Sequence, residues 1–357
     1  MLLFVPRSES QIPATRDAQA PVKNKEDVVE LSAFLVQSEN DTGYFAKNTL
    51  AGTRSNERLI NIPQNIQVIT RELMDDLATI NPMEAMKYGA SGINRRSGFS
   101  GDLYLRGFRV RNHMKDNIVN GGGNTLGRVP MYDIDRIEVV KGPAALLFGQ
   151  ASSTGGIVNY VSKQPSEKPA SSLKATVGSY DLYGLEANTT GPLGSLGNYR
   201  ATAAVYDAKG ARKFEHTKDR FFSVGFARKL SPTTLLSAYF SYNHIDEIQS
   251  ALTVDSRGQL VNVPDDFSFY EPWVEYPHAS QYALVSLKTS ITPTLQANLV
   301  LNYTREDSYG WPSIRLTPTN VTTGLTPRTL ISTDTKPLGS GVSGNVLIDF
   351  LQTFHTG

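Results

Sequence analysis

Asp135-Arg136-Ile137-Glu138-Val139-Val140-Lys141-Gly142-Pro143-Ala144-Ala145-Leu146-Leu147-Phe148-Gly149-Gln150, continued by Gly155-Gly156-Ile157-Val158-Asn159-Tyr160-Val161-Ser162-Lys163-Gln164-Pro165, is the most informative stretch of the chain. Arg136 and Glu138 fall two apart, with Ile137 and Val139 between and beyond them, so the run Arg136 to Lys141 reads as a half-buried strand with one polar face. Gly142-Pro143 and Gly149 bracket a single helical turn. The four glycines Gly142, Gly149, Gly155 and Gly156 do not make a phosphate loop. No Gly-Lys-Ser/Thr follows them and no G-x-G-x-x-G opens a helix. Turns that need small residues account for them.

Upstream, the chain reads as a small mixed α/β unit that begins near Thr53. Asn61-Ile62-Pro63-Gln64 precedes a short alternating strand with Ile66 and Val68 on one face and Gln67 and Ile69 on the other. Thr70 is placed to cap a helix whose Leu73 and Leu77 recur at i, i+4. A second helix opens at Asn81, with Pro82 at its first position and Glu84 where a capping box would use it. Leu103 to Arg109 reads as one further strand. The polar lead before this unit contains one short acidic and β-branched segment, Asp27-Val28-Val29-Glu30-Leu31.

Downstream of Lys163-Gln164-Pro165 the grammar changes. Of 33 aromatic residues, 11 lie in residues 1–170 and 22 in residues 171–357, and the second half resolves into strands. Eight are expected: Ser172 to Ser179, Tyr183 to Gly191, Asn198 to Asp207, Arg220 to Leu230, Thr234 to Ile245, Gln281 to Ile291, Leu295 to Arg305 and Val342 to Phe354. Their apolar period is two, as in Leu173/Ala175/Val177, Phe222/Val224/Phe226 and Val346/Ile348/Phe350, and the alternate positions are small or polar. Periodicity alone fits a soluble sandwich with its apolar face inward or a membrane barrel with its apolar face outward. The connections separate the two. Leu193 to Gly197 and Ser231-Pro232-Thr233 are short, whereas Asp246 to Ser280 and Glu306 to Gly341 are far longer than compact domains use. Short turns at one end and long loops at the other belong to an outer-membrane barrel.

Composition excludes several classes. Thirty-five Lys+Arg against 34 Asp+Glu give a net charge of +1, so no charge-driven nucleic-acid partner is indicated. There is no cysteine, and His113, His216, His244, His278 and His355 lack metal-ligand spacing, so neither a disulfide framework nor a protein-built metal site is read. No H-E-x-x-H, G-x-S-x-G or paired catalytic carboxylate occurs, and no apolar run approaches the length of a membrane-spanning helix. The apolar start Met1 to Val5 is too short for a secretory h-region, so an exported protein is expected to begin further upstream.

Three stretches resemble the plug of TonB-dependent siderophore receptors. Asn61-Ile62-Pro63-Gln64-Asn65-Ile66-Gln67-Val68-Ile69-Thr70 is similar to the opening strand of that family, and Leu103-Tyr104-Leu105-Arg106-Gly107-Phe108 to its R-G-F segment. The run from Asp135 to Pro165 is similar to the family's R-I-E-V-L-R-G-P and G-G-x-V-N-x-V-T-K-x-P pattern almost position for position. Lys141-Gly142-Pro143 and Lys163-Gln164-Pro165 favour the siderophore branch over the glycan-importing one. The resemblance departs at Asp116-Asn117, where the family commonly has Asp-Gly, and at Gly121-Gly122-Gly123; both are expected in a ligand-facing loop.

The resemblance implies a mixed α/β plug domain followed by antiparallel transmembrane β-barrel strands, the start of a 22-stranded barrel. Residues 1–52 are then a disordered periplasmic lead carrying the TonB box, Asp27, Val28, Val29, Glu30 and Leu31. Residues 53–168 are the plug, and residues 169–357 the N-terminal part of the barrel. It further implies outer-membrane location, lipid contact, energy supplied by TonB with its inner-membrane complex, and no catalysis. The cargo is a ferric siderophore, and no cofactor is covalently bound. Rival importers of cobalamin or oligosaccharides, a passive porin and a secreted β-sandwich enzyme are the alternatives. Arg106, Arg136, Glu138 and Lys141 are expected to pair with the barrel wall. Phe99, Arg109, Arg111, Tyr132, Trp273 and Trp311 are ligand-binding candidates, since aromatic faces suit bulky chelators and cations suit anionic ferric complexes. For the loop aromatics an interfacial belt is an equal reading.

Overall fold

The computed structural model describes residues 43–51, 57–95, 103–110, 113–120, 129–142, 154–248, 264–266, 275–292, 294–309, 314–315, 329–330 and 337–352. The first half is built on a five-stranded sheet. Its strands are β1 (Asn65–Thr70), β5 (His113–Lys115), β6 (Ile118–Asn120), β7 (Ile134–Lys141) and β8 (Gly156–Ser162), in the order β1-β7-β8-β5-β6. The central β7 and β8 are buried along their whole length, and their antiparallel pairing sets Asn159 opposite Glu138 and Val161 opposite Arg136. β8 runs parallel to β5.

One face of this sheet is covered by α1 (Arg71–Asp76), α2 (Pro82–Gly89) and a small three-stranded sheet of β2 (Ile93–Arg95), β3 (Leu103–Leu105) and β4 (Phe108–Val110). Met74, Met83, Met86, Leu103, Leu105 and Val110 pack there on Ile137, Val139 and Tyr160. The other face carries residues 43–51, whose Ala51 joins Met114, Val140 and Ile157. Both helix starts follow from local chemistry. The Thr70 hydroxyl accepts from Leu73 N at 3.4 Å, and Asn81 Oδ1 accepts from Met83 N at 2.9 Å with Pro82 at the first helical position. The capping box does not close, because Asn81 N instead donates to Thr79 Oγ1 at 3.0 Å and Glu84 lies 4.0 Å from Lys87.

Two expectations are corrected here. Leu103 to Arg109 is not one strand but the hairpin β3–β4, folded back at Arg106 and Gly107, whose φ values of 52° and 81° are those of a type I′ turn. Asp116-Asn117, expected in a ligand-facing loop, is the turn of the β5–β6 hairpin, with φ values of 53° and 64°. It lies against β8, where the Asp116 carboxylate accepts from Ser162 N and Oγ, both at 2.8 Å. Beyond Gly142, the expected helical turn from Pro143 to Gly149 falls outside the described residues, as do the three glycines at 121–123.

Gly156 illustrates how tight the sheet is. Its φ is +137°, and a Cβ there would lie 2.1 Å from Val140 O and 3.1 Å from a Leu105 methyl. Gly156→Ala is therefore expected to destabilise the plug by on the order of 3 kcal/mol, from backbone strain and overpacking together. The measurement is the denaturant midpoint of the receptor, and an unchanged midpoint would contradict it.

The second half is a single antiparallel sheet of eight strands paired in chain order: β9 (Ala170–Gly178), β10 (Leu182–Pro192), β11 (Asn198–Lys209), β12 (His216–Ser231), β13 (Thr234–Ile248), β14 (Pro277–Ser290), β15 (Leu295–Tyr309) and β16 (Pro337–Gln352). All eight expected strands are present. Several run further than their apolar alternation at the long-connection end, because ladder pairs such as Asp246↔Pro277 and His278↔Ser308 need only backbone groups. At one end of the sheet every connection is short, at 193–197, 232–233 and 291–294, and both long connections lie at the other end, beside the short turns at 179–181 and 210–215. The faces settle what periodicity left open. Leu173, Val177, Leu185, Phe222, Val224, Phe240, Leu301, Val346, Ile348 and Phe350 are exposed on the outer face, while Asn188, Thr202, Asp219, Ser223, Ser241, Asn243 and Asn302 are buried on the inner one. A soluble sandwich would bury the first set; this sheet turns it outward, as a lipid-facing wall does.

Candidate functional site

The inner wall meets the first unit along a polar seam. Lys115, on β5, is its densest point. Its Nζ donates to Asp133 Oδ2 at 3.1 Å and Tyr239 Oη at 3.2 Å, and lies 4.8 Å and 5.0 Å from the ring centroids of Tyr239 and Tyr282. Tyr282 Oη donates to Lys115 O at 3.3 Å, and Tyr239 Oη donates to Asp133 Oδ2. The ammonium is thus withdrawn from water, with side chains of Lys115 and Asp133 only 4% and 2% exposed, yet every direction around it offers a carboxylate, a hydroxyl or a π face. Such a pair holds position well and tolerates the loss of one partner badly.

Beside it, Tyr132 Oη donates to Asp219 Oδ2 at 3.1 Å, and the Tyr132 ring lies 5.5 Å from that of Phe221 in a cluster with Ala204 and Ile80. Burial, then the adjacent Asp219 carboxylate, push the Tyr132 hydroxyl far above its ordinary value, so it stays a donor. Lys163 Nζ lies 3.6 Å from Glu186 and donates to Tyr132 O at 2.7 Å. Burial and the neighbouring Arg71 lower the Lys163 ammonium to about 8, against the pull of Glu186 and Asp133. Arg200 Nε donates to Gln164 O at 2.8 Å. Five consecutive strands, β10 to β14, therefore grip three short segments of the first unit, around Lys115, Tyr132-Asp133 and Lys163-Gln164.

The residues expected to make these contacts are placed elsewhere. Arg136 and Glu138 are wholly buried within the first unit. Arg136 Nε donates to Asp135 at 3.2 Å and Nη1 to Asn48 O at 3.4 Å. Glu138 accepts from Leu50 N and Asn159 Nδ2, both at 3.0 Å. Burial raises the Glu138 carboxyl above its ordinary value, and those donors with Arg136 and the Thr49 hydroxyl pull it back. Lys141 donates to Ser91 Oγ at 2.7 Å and to Gln67, and Arg106 stands at the exposed β3–β4 turn. The bonds described for Arg136, Glu138 and Lys141 thus close inside residues 48–159 rather than on the wall. Of the ligand-binding candidates, Tyr132 faces the seam and Arg109 is half-buried on β4. Phe99, Arg111, Trp273 and Trp311 lie outside the described residues, as do Asp27 to Leu31.

A second feature joins the two units toward the long-connection end. A cavity of about 500 Å³ lies between Leu77, Asn81 and Tyr88 of the helical layer and Tyr206, Asp219 and Glu247 of the wall. Among the described residues no group of His, Asp and Glu is arranged to hold a metal ion.

With this geometry in place, comparison with known proteins is informative. Residues 58–157 match the family profile described as the TonB-dependent Receptor Plug Domain. The metal-pseudopaline receptor of Pseudomonas aeruginosa strain UCBPP-PA14 is 29% identical over 258 residues, covering 69% of this chain and 36% of that receptor. The ferripyoverdine receptor of Pseudomonas aeruginosa PAO1 is 30% identical over 284 residues, covering 73% of this chain and 34% of that receptor. In structure, the pyoverdine outer membrane receptor of the same strain, solved with pyoverdine, superposes with a TM-score of 0.69 at 25% identity, covering 77% of this chain and 43% of its own. The chain spans about a third of the length of the curated relatives it matches.

Proposed function

From the premise that the chain belongs to the TonB-dependent siderophore receptor family, we propose that it supplies the plug and the first barrel strands of an outer-membrane importer of ferric siderophores, energised through TonB and catalysing no reaction. One observation carries the reading. An eight-stranded sheet presents its apolar face outward and its polar face to a buried α/β unit, which suits a lipid-embedded wall around a plug and suits neither a porin nor a soluble sandwich. Short turns then face the periplasm and the long connections the outside.

The seam supports the transport step. Its contacts are mostly hydrogen bonds and ion pairs, which water can replace one by one. An apolar interface of ~1,000 Å² would hold on the order of 25 kcal/mol and would not yield so readily. The relatives are named for metal-pseudopaline and ferripyoverdine; a metal or ferric chelate of this class is the cargo proposed here. Residues 43–51, expected in the lead, are built onto the plug sheet with Thr49 and Ala51 buried, so the periplasmic lead is proposed to end before residue 43 and the plug to run from there to residue 168, with Phe99, Arg109, Arg111, Trp273 and Trp311 as contacts for the chelate. The test is uptake of radio-iron presented as ferric pyoverdine or ferrichrome to cells carrying the full-length receptor, with and without TonB. TonB-dependent uptake of either is expected; no binding or uptake of any ferric siderophore in a broad panel would overturn the reading.

A further inference from the structure

The cavity of about 500 Å³ between the helical layer and the wall has the size of a small-ligand site. Its wall side is made by two neighbouring rungs of the sheet, Tyr206↔Asp219↔Ile245 and Thr217↔Glu247. Those rungs lie just inside the end of the β12–β13 ladder at His216↔Ile248, so the cavity sits under the long-connection end. Its other side is the link from α1 to α2, then Glu84 and Tyr88 of α2, and Val129-Pro130.

The lining has one sign. Glu84, Asp219 and Glu247 are carboxylates, and among the described residues that line the cavity none is a lysine, arginine or histidine. Asp219 is held in place by Tyr132 Oη at 3.1 Å. Two cations stand beside these acids without lining the cavity. The Lys87 ammonium lies on the exposed side of α2, 4.0 Å from Glu84 and 5.4 Å from the Tyr88 ring centroid, and Arg220 is drawn over the outer face of the wall, 3.8 Å from Asp207. Lys87 shows what the rim offers a cation, a carboxylate and a π face together. Arg109, proposed above as a chelate contact, is not among the lining residues, so an anionic complex meets three like charges here and no counter-charge.

We propose that this cavity is a cargo subsite for a cationic arm, and that the receptor takes ferric hydroxamate chelates bearing an ammonium group in preference to anionic catecholate complexes. The proposal rests on the importer reading above and adds the charge class of the cargo. A ferric ion held by three hydroxamates is neutral, so a pendant ammonium leaves the whole complex cationic, whereas three catecholates leave it triply anionic. A cleft lined by one sign of charge concentrates the first and repels the second. The ammonium is placed among Glu84, Asp219 and Glu247, beside the Tyr88 ring.

The test compares surface binding of three radio-iron complexes to cells carrying the full-length receptor, with the proton gradient collapsed to block uptake. Ferrioxamine B is a trihydroxamate with a free ammonium, its N-acetyl derivative is the same chelate without that charge, and ferric enterobactin is the anionic tris-catecholate. Ferrioxamine B is expected to bind about tenfold more tightly than its acetylated form, and enterobactin least tightly of all. Glu247→Gln, which keeps the size and removes the charge, is expected to erase most of that preference, and raised salt to reduce it. Should that variant fail to reach the membrane, Glu84→Gln on the partly exposed face of α2 is read in the same way. A second measurement needs no chelate. The chain contains no cysteine, so Thr217→Cys in the purified receptor reports alone. Its rate with a cationic methanethiosulfonate, relative to an anionic one, is expected to fall about fivefold when Glu247→Gln is added. Equal binding of ferrioxamine B and its acetylated form, tighter binding of enterobactin, no binding of any of the three, or a reagent ratio unmoved by Glu247→Gln would each overturn the subsite. TonB-dependent uptake of ferric pyoverdine or ferrichrome by the same cells would leave the importer standing in all those cases; its absence, with no binding of the three complexes, would remove the importer reading as well.

Discussion

Lys115→Met in the full-length receptor is expected to unseat the plug and make the outer membrane leaky to large hydrophilic antibiotics such as vancomycin. Methionine fills much of the space but leaves the Asp133 carboxylate buried with Tyr239 and without its cation. Removing one member of a buried pair costs ~3–5 kcal/mol, a large share of the stability of any single unit. Graded substitutions separate the charge from general packing. Lys115→Arg keeps the cation and both ring contacts and is expected to leave permeability near normal. Tyr239→Phe keeps the ring face and loses one hydroxyl, so it is expected to cost only about 1 kcal/mol. Tyr239→Ala and Tyr282→Ala open the cage and are expected to approach the effect of Lys115→Met. Unchanged antibiotic sensitivity and unchanged melting of Lys115→Met would show that the plug is seated elsewhere.

Why Lys115 escapes a reading of the sequence is physical. The architecture was legible because it rests on short-range signals: period-two alternation from Leu173 to Phe350, the caps at Thr70 and Asn81, and the run from Asp135 to Pro165. The inward-facing positions could also be listed, since Asp219, Phe221 and Ser223, or Tyr239, Ser241 and Asn243, alternate with outward apolar residues. Their partners could not. Lys115 is separated from Tyr239 by 124 residues and from Tyr282 by 167, and Tyr132 from Asp219 by 87. Nothing local in His113-Met114-Lys115 distinguishes this lysine from a solvated one. Arg136 and Glu138 showed the opposite difficulty. Their alternation correctly set them on one face of β7, but which element covers that face depends on where residues 48–51 return, and a polar lead carries no periodic signal. Short turns were misread for a third reason. Arg106-Gly107 and Asp116-Asn117 both take positive φ, and only one of these four residues is glycine.

The largest functional effect is expected in the lead. If Asp27 to Leu31 is the segment that TonB captures, its grip comes mainly from main-chain pairing with an added strand. Such pairing tolerates most side-chain changes but not proline, which removes a donor and fixes φ. Val29→Pro in the full-length receptor is therefore expected to abolish energised uptake while leaving binding of the ferric chelate at the cell surface intact. Val22→Pro and Val36→Pro, outside the paired segment, are expected to import at nearly the wild-type rate. Uptake and surface binding of radio-iron loaded pyoverdine or ferrichrome, measured side by side, separate the outcomes. Normal uptake by Val29→Pro would refute the assignment of this segment. Loss of binding together with uptake would make it a structural element, because a purely coupling peptide has no reason to alter the chelate site.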